Sequence, residues 1–237
     1  MNAAKPGENN EWLTRQWIAA GLVSASVRFV LAPFVDNFVR DRCHKFAVSR
    51  TLVAHESEES LDRLNPYYFS SGGHLGGCSS MTIKAPMRLL LFPFRKSVLV
   101  MTSVRGAALE VMRTVLLGRT LDRYVRAGTL SGRPAEAARM TTALDDAFAR
   151  MDLRVVKSSM ADALSSVDNW KVAATETAKL IADRRQAMSE RLATSTDIEN
   201  GAIKAQKAFD RPETLRLFAE FDRRFDDRMQ KKVVKTS

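Results

Sequence analysis

The chain has 237 residues, of which 45% are hydrophobic, and its 37 Lys and Arg against 27 Asp and Glu give a formal net charge of +10. This composition excludes a disordered chain, because the hydrophobic residues are numerous enough to form a core. Two cysteines, Cys43 and Cys78, exclude a small disulfide-rich domain and are typical of free thiols in a reducing compartment. We therefore expect an intracellular, cytoplasmic protein.

The positive charge is concentrated in the first half of the chain. Residues 1–135 hold 18 Lys and Arg against 10 Asp and Glu, whereas residues 136–237 hold 19 against 17. Residues 84–133 alone hold ten basic residues and two acidic ones, interleaved with apolar residues. This combination indicates an anionic partner, either an acidic lipid surface or nucleic acid.

Residues 1–11 are polar and are predicted to form a flexible tail. Glu8 and Glu11 precede the first apolar run, which argues against a secretory signal. Residues 12–133 are predicted to form one basic, apolar, helical region. Residues 134–237 are predicted to form a helical hairpin followed by a terminal helix.

Residues 16–35 form an apolar run with a single charge, Arg28, and are about long enough to span a bilayer as a helix. An arginine inside a spanning helix costs roughly 2.5–3.5 kcal/mol, so spanning is penalised. Pro33 is predicted to kink or end this helix, and a second, basic helix is predicted over about residues 36–53. Trp12 and Trp17 lie at the start of the run, as interfacial anchors often do.

A Gly- and Ser-rich loop is predicted near residues 65–80. Its four glycines resemble a phosphate-binding loop in spacing, but no Lys-Ser or Lys-Thr follows them and no strand precedes them. We therefore interpret this stretch as a connection rather than as a phosphate site.

A short internal resemblance links two apolar segments of the first half. Residues 28–34, RFVLAPF, and residues 88–94, RLLLFPF, share a pattern, and Arg95 with Lys96 directly follows the second copy. A helix with two adjacent cations at its centre does not span a membrane. By analogy, we expect the first copy to lie on a surface or to be buried in protein.

One long helix is predicted over about residues 97–126, where apolar residues recur at three- and four-residue steps around Gly106 and Gly118. Gly128 to Pro134 then mark a boundary. Beyond it, heptad-like steps predict two long antiparallel helices over residues 135–157 and 160–192. Ser195-Thr-Asp and Asp210-Arg-Pro predict two further helix starts, the second leading into a terminal amphipathic helix.

No catalytic or metal-binding pattern stands out. Cys43, His44, His74 and Cys78 lack the spacing of a zinc site, and neighbouring carboxylates such as Asp145 and Asp146 diverge on a helix. Glu110 lies in an apolar helix, where Arg113 is its expected partner. We therefore expect no cofactor, no metal and no enzymatic activity.

The sequence thus predicts an all-α protein with proline-kinked amphipathic N-terminal helices, a long C-terminal helical hairpin and a terminal amphipathic helix. We interpret it as a non-catalytic adaptor, peripheral on the cytoplasmic face of an anionic membrane or held in a partner's apolar groove. A nucleic-acid-binding protein and a soluble protein-protein interaction module are the alternatives. The residues predicted to contact the membrane, the groove or another anion are Trp12, Trp17, Arg28, Phe34, Arg88, Phe92, Phe94, Arg95 and Lys96.

Overall fold

The computed structural model describes residues 6–29, 35–69, 103–167, 169–183 and 195–230. Within these ranges every regular element is a helix, and none is a strand. The prediction of an all-α protein is confirmed. The helices are α1 (Pro6–Ser26), α2 (Val35–Ala54), α3 (Asn65–Tyr68), α4 (Ser103–Arg126), α5 (Pro134–Ala149), α6 (Arg154–Ser165), α7 (Trp170–Ala182), α8 (Thr196–Phe209) and α9 (Pro212–Gln230), and a 3-10 turn, Val27–Phe29, follows α1.

Helix α1 is the central element of the fold. It packs against α2, α4, α7 and α8, so its apolar side chains are covered on several sides. Ile18, Leu22 and Val23 are fully buried in the core. Within the described ranges, no helix is both long enough and apolar enough to cross a membrane. Burial in protein therefore accounts for the described part of the apolar run, residues 16–29.

Glycines let α1 and α4 approach each other closely. A Cβ atom added to Gly21 would lie 2.7 Å from the Cα of Val111, and one added to Gly118 would lie 2.5 Å from the Trp17 ring. Gly106 and Gly118 are both inside α4, so neither interrupts the helix. They instead make room for side chains of the preceding elements, Arg28 and Trp17.

The predicted long hairpin is not confirmed, because the described part of residues 135–183 forms three shorter helices. The chain leaves helical geometry after Ala149, where the Asp152 carboxylate accepts hydrogen bonds from the backbone and guanidinium of Arg154 and so begins α6. A second break lies before Trp170, where Asn169 has a left-handed φ of 61°. Heptad-like apolar positions such as Met140, Leu144, Met160 and Leu164 are buried, but α5 packs against α9 and α6 packs against α8.

The predicted starts of the last two helices are confirmed. The Ser195 hydroxyl accepts a hydrogen bond from the Ile198 backbone N–H and caps α8, which begins at Thr196. Helix α9 begins at Pro212, a residue whose fixed φ suits the first helical position. Its apolar face is buried through Phe218, Phe221 and Phe225.

The N-terminal boundary differs from the sequence prediction. Helix α1 begins at Pro6, so residues 6–11 are helical rather than part of a tail. The Glu11 carboxylate pairs with Arg15 at 3.0 Å, one turn later in the helix. The expected kink at Pro33, the Gly-rich part of the loop and residues 97–102 lie outside the described residues.

Candidate functional site

The structure separates the two tryptophans that the sequence predicts as surface anchors. Trp17 is only 4% exposed, and its indole N–H donates a hydrogen bond of 3.0 Å to the Thr51 hydroxyl. Trp17 therefore belongs to the core between α1, α2 and α4. Trp12, by contrast, is 42% exposed, and it alone of the two has the exposure that an interfacial anchor needs.

Of the other predicted contact residues, only Arg28 lies within the described part of the chain. Arg28 is half-buried, with its guanidinium against the backbone of Gly106. Phe34, Arg88, Phe92, Phe94, Arg95 and Lys96 lie outside the described residues. The structure therefore does not bring the predicted set together, and Trp12 is its one exposed member among the residues described.

Trp12 adjoins a basic and aromatic face of α2 that the sequence analysis did not single out. We call this surface the α2 face; it consists of Trp12 of α1 with Phe38, Arg42, Lys45, Phe46, Ser49, Arg50 and Val53 of α2. The α2 residues recur at three- and four-residue steps, so they share one side of the helix. Val53 is 63% exposed, and Asp41, four residues before Lys45, is an acidic residue beside these positions.

Cations on the α2 face are held over aromatic rings. The guanidinium carbon of Arg50 lies 6.0 Å from the Trp12 ring centroid and 5.1 Å from that of Phe46. The guanidinium of Arg42 lies 5.2 Å from the Phe38 ring centroid. These distances are those of cation–π contacts, which position a charge at an apolar surface without neutralising it.

Several other positions of α2 face inward. Val48 and Leu52 are buried in the core, and Arg40 points toward α4 rather than outward. Some of the basic and apolar residues that alternate in this segment therefore face the core, and others face outward. The helical spacing places Arg50 on the opposite side from Val48 and Leu52, whereas Lys45, seven residues before Leu52, lies next to Leu52 at the half-buried edge of the α2 face.

Arg40 pairs with a buried carboxylate, Glu110 of α4. Glu110 Oε1 accepts hydrogen bonds from the Ser24 hydroxyl at 2.6 Å and from Arg40 Nε at 3.1 Å, and His44 Nε2 lies 3.7 Å away. Arg113 does not form the predicted ion pair with Glu110, because it binds the Asp145 carboxylate at 2.6 Å, and its charge only helps to lower the pKa of Glu110. The sequence suggested the neighbour one turn away, whereas the fold supplies partners from α1 and α2.

The pKa values of this cluster follow from burial and from these partners. Burial alone would raise the pKa of Glu110, but Arg40 and the Ser24 hydrogen bond outweigh burial and lower it. Burial lowers the pKa of His44 to about 4. Near neutral pH, Glu110 is therefore ionised and His44 is neutral.

A cavity of about 420 Å³ lies beside this cluster, between α2, α3, α4 and α5. His44 and Glu110 line it, together with aromatic side chains that include Tyr68 and Phe148. Small-molecule pockets in proteins occupy roughly 300–1,000 Å³, so the cavity is of ligand size.

Cys43 lies next to this region but has the surroundings of a core residue. Its thiol is buried, and burial followed by the nearby Glu110 charge raises its pKa. Among the described residues, no group of three or more His, Cys, Asp or Glu side chains is arranged to hold a metal ion. His74 and Cys78 lie outside them, so the expectation of a metal-free protein stays a prediction.

Comparison with known proteins yields no matching family model, no similar curated protein and no similar solved structure. Two features of the described chain then carry the functional argument. They are the exposed α2 face and the cavity next to His44 and Glu110.

Proposed function

We propose that this protein is a non-catalytic helical adaptor that associates peripherally with an anionic membrane surface, while its C-terminal helices bind another protein. The observation that supports membrane association is the α2 face, on which exposed Trp12 and Val53 accompany the cations Arg42, Lys45 and Arg50. A surface of this kind combines electrostatic attraction with apolar insertion, the two terms that hold amphipathic helices in the interface.

The geometry suits a helix that lies in the membrane plane. The α2 face runs from Phe38 to Val53, which at 1.5 Å per residue corresponds to roughly 22 Å along the helix axis. Each Lys or Arg near an acidic lipid surface contributes about 1 kcal/mol, so its three cations together contribute roughly 3 kcal/mol. Trp12 and Val53 add the burial of their apolar surface to this attraction.

The same charges would also attract nucleic acid, and the apolar residues separate the two partners. Nucleic-acid affinity would arise mainly from counterion release, would fall steeply with salt and would depend little on Trp12 or Val53. Membrane association requires both kinds of residue. We favour the membrane because the exposed apolar residues and the cations share one face of α2.

The first experiment compares three double variants in sedimentation with phosphatidylserine-rich vesicles. One variant reverses charge on the α2 face, Arg42→Glu with Lys45→Glu, and one removes its apolar contacts, Trp12→Ser with Val53→Ser. The control, Lys204→Glu with Lys207→Glu, makes the same charge change at exposed positions of α8. We expect both α2-face variants to lose binding and the control to bind almost as the wild type does.

The second experiment examines the basic and apolar residues predicted from the sequence around position 90. The variants are Arg95→Glu with Lys96→Glu, and Leu91→Ser with Phe92→Ser and Phe94→Ser, each checked for folding by circular dichroism. Both should weaken vesicle binding. If the wild type ignores acidic vesicles and binds duplex DNA with a steep salt dependence, the membrane assignment is wrong and nucleic acid replaces it.

A further inference from the structure

The cavity between α2, α3, α4 and α5 has the walls of a small-molecule site. Its volume is about 420 Å³, and most of its lining is aromatic or aliphatic. The apolar residues that contribute include Tyr67, Tyr68, Leu109, Leu117, Leu144 and Phe148. Pockets that bind drug-sized molecules are similarly apolar and carry few polar groups that fix orientation.

The charged residues at the cavity are paired with one another. Arg40 binds Glu110 at 3.1 Å, and Arg113 binds Asp145 at 2.6 Å. The two cations and two anions that line the cavity therefore balance, and they leave no net charge to attract an ion. The Tyr67 hydroxyl is also engaged, because it donates a hydrogen bond to the Leu117 carbonyl. A neutral ligand fits this lining better than an anion or a cation.

His44 supplies one polar atom that is not engaged. The side chain is 2% exposed, and Nε2 has no hydrogen-bond partner among the described residues. The Tyr68 backbone raises the pKa of His44, although burial outweighs it, and Nε2 has no partner of its own within the described chain. A backbone group that favours the charged ring is a carbonyl, which suits a proton on Nδ1. We therefore assign the proton of the neutral ring to Nδ1, which leaves a lone pair on Nε2 to accept a hydrogen bond.

An unpaired buried acceptor at the wall of an apolar cavity is a recognition element for a hydrogen-bond donor. The neighbouring Glu110 carboxylate, 3.7 Å from Nε2, is also an acceptor and cannot satisfy the lone pair. We propose that the cavity binds a small, neutral aromatic molecule whose hydroxyl or N–H group donates a hydrogen bond to His44 Nε2. This site is separate from the α2 face and does not depend on membrane association.

The test uses 2-naphthol and 2-methoxynaphthalene as probes, because they share an aromatic body and only the first has a donor. Binding to the full chain is measured by isothermal titration calorimetry without vesicles. We expect 2-naphthol to bind and 2-methoxynaphthalene to bind about tenfold more weakly, since the ether leaves the acceptor unpaired. In His44→Phe, which keeps a ring and removes the acceptor, the two probes should bind equally.

Two measurements keep the test decisive. His55→Gln changes the histidine that pairs with Asp122 at 2.7 Å, away from the cavity lining, and should leave probe preference unchanged. On the wild type, ¹⁵N chemical shifts of the histidine rings should show 2-naphthol changing the Nε2 signal of His44, which does not depend on how any variant folds. If neither probe binds, if both bind wild type equally, or if the His44 signal does not move, the proposed site is wrong.

Discussion

The His44 ring is a single buried group that couples stability to pH. Its folded-state pKa of about 4 lies below the unfolded value of about 6.5, so folding favours the neutral ring. As the pH falls, the unfolded chain binds the proton before the folded protein does. The stability that the neutral ring contributes above a pH of about 6.5 is therefore lost as the pH approaches the folded-state pKa. Between pH of about 7 and 5 this group should remove roughly 2 kcal/mol of stability.

The measurement is urea denaturation of three proteins at the two pH values. The wild type should lose stability on acidification, and His44→Gln should lose about 2 kcal/mol less between the same limits. His55→Gln is the matched control, because it removes a histidine that is only half-buried and pairs with Asp122. A His44→Gln variant with the same pH dependence as the wild type would contradict a neutral buried His44.

The second prediction at the residue scale concerns the Glu110 carboxylate. Glu110→Gln keeps the shape but removes the charge that accepts hydrogen bonds from Ser24 and Arg40. We expect a loss of about 1–3 kcal/mol of unfolding free energy, because buried donors lose a charged acceptor. Asp145→Asn, which weakens the more exposed pair with Arg113, should cost less than about 1 kcal/mol by the same denaturation assay. Equal losses in the two variants would contradict a structural role specific to Glu110.

Residue-level predictions from the sequence failed where the partner came from far along the chain. Arg113 was a reasonable partner for Glu110 on one helix, but the fold brings Ser24 and Arg40 instead. The exposure of Trp12 and the burial of Trp17 likewise depend on where α2 and α4 pack. Local capping chemistry, in contrast, predicted the starts of α8 and α9, since Ser195 and Pro212 act within their own turns.

At the scale of elements, the close contact between α1 and α4 depends on missing side chains. Gly21→Ala would place a Cβ 2.7 Å from the Val111 Cα, where backbone rather than a mobile side chain must move. We expect a loss of about 1–3 kcal/mol despite the gain in helix propensity. Gly201→Ala in α8 is the control, because its nearest obstacle is the Leu22 Cδ1 atom at 3.2 Å, which a small side-chain adjustment can relieve.

Thermal unfolding followed by circular dichroism measures both glycine variants. Gly21→Ala should lower the Tm clearly, whereas Gly201→Ala should change it little or raise it. An unchanged Tm for Gly21→Ala would mean that α1 and α4 are not in the described contact.

The helical class could be predicted because the spacing of apolar residues is a property of each segment alone. The long hairpin could not be excluded in this way, since heptad-like steps continue past Ala149 and Ser165, where α5 and α6 end. The side chain of Asp152 and the left-handed backbone of Asn169 interrupt the helices locally. Apolar periodicity records which residues are buried, but it does not record which neighbouring helix buries them.

At the scale of the whole molecule, the sequence alone could not decide whether the apolar run beginning at residue 16 contacts lipid or protein. A nearly uncharged helix is equally suited to lipid and to the centre of a protein, and α1 occupies the centre. The surface offered to a membrane is instead the α2 face, where cations lie over exposed and half-buried rings. The central claim is therefore about Trp12 and its neighbours rather than about insertion of α1.

Quenching of tryptophan fluorescence by brominated lipids tests that claim most directly. Trp17 and Trp170 are 4% and 2% exposed, so Trp12 at 42% is the tryptophan available to lipid. Brominated phosphatidylserine-rich vesicles should quench part of the wild-type emission, and neither Trp12→Phe with the same vesicles nor the wild type with neutral brominated phosphatidylcholine should show that quenching. Absence of quenching in the wild type, or quenching that persists in Trp12→Phe, would contradict membrane association through the α2 face.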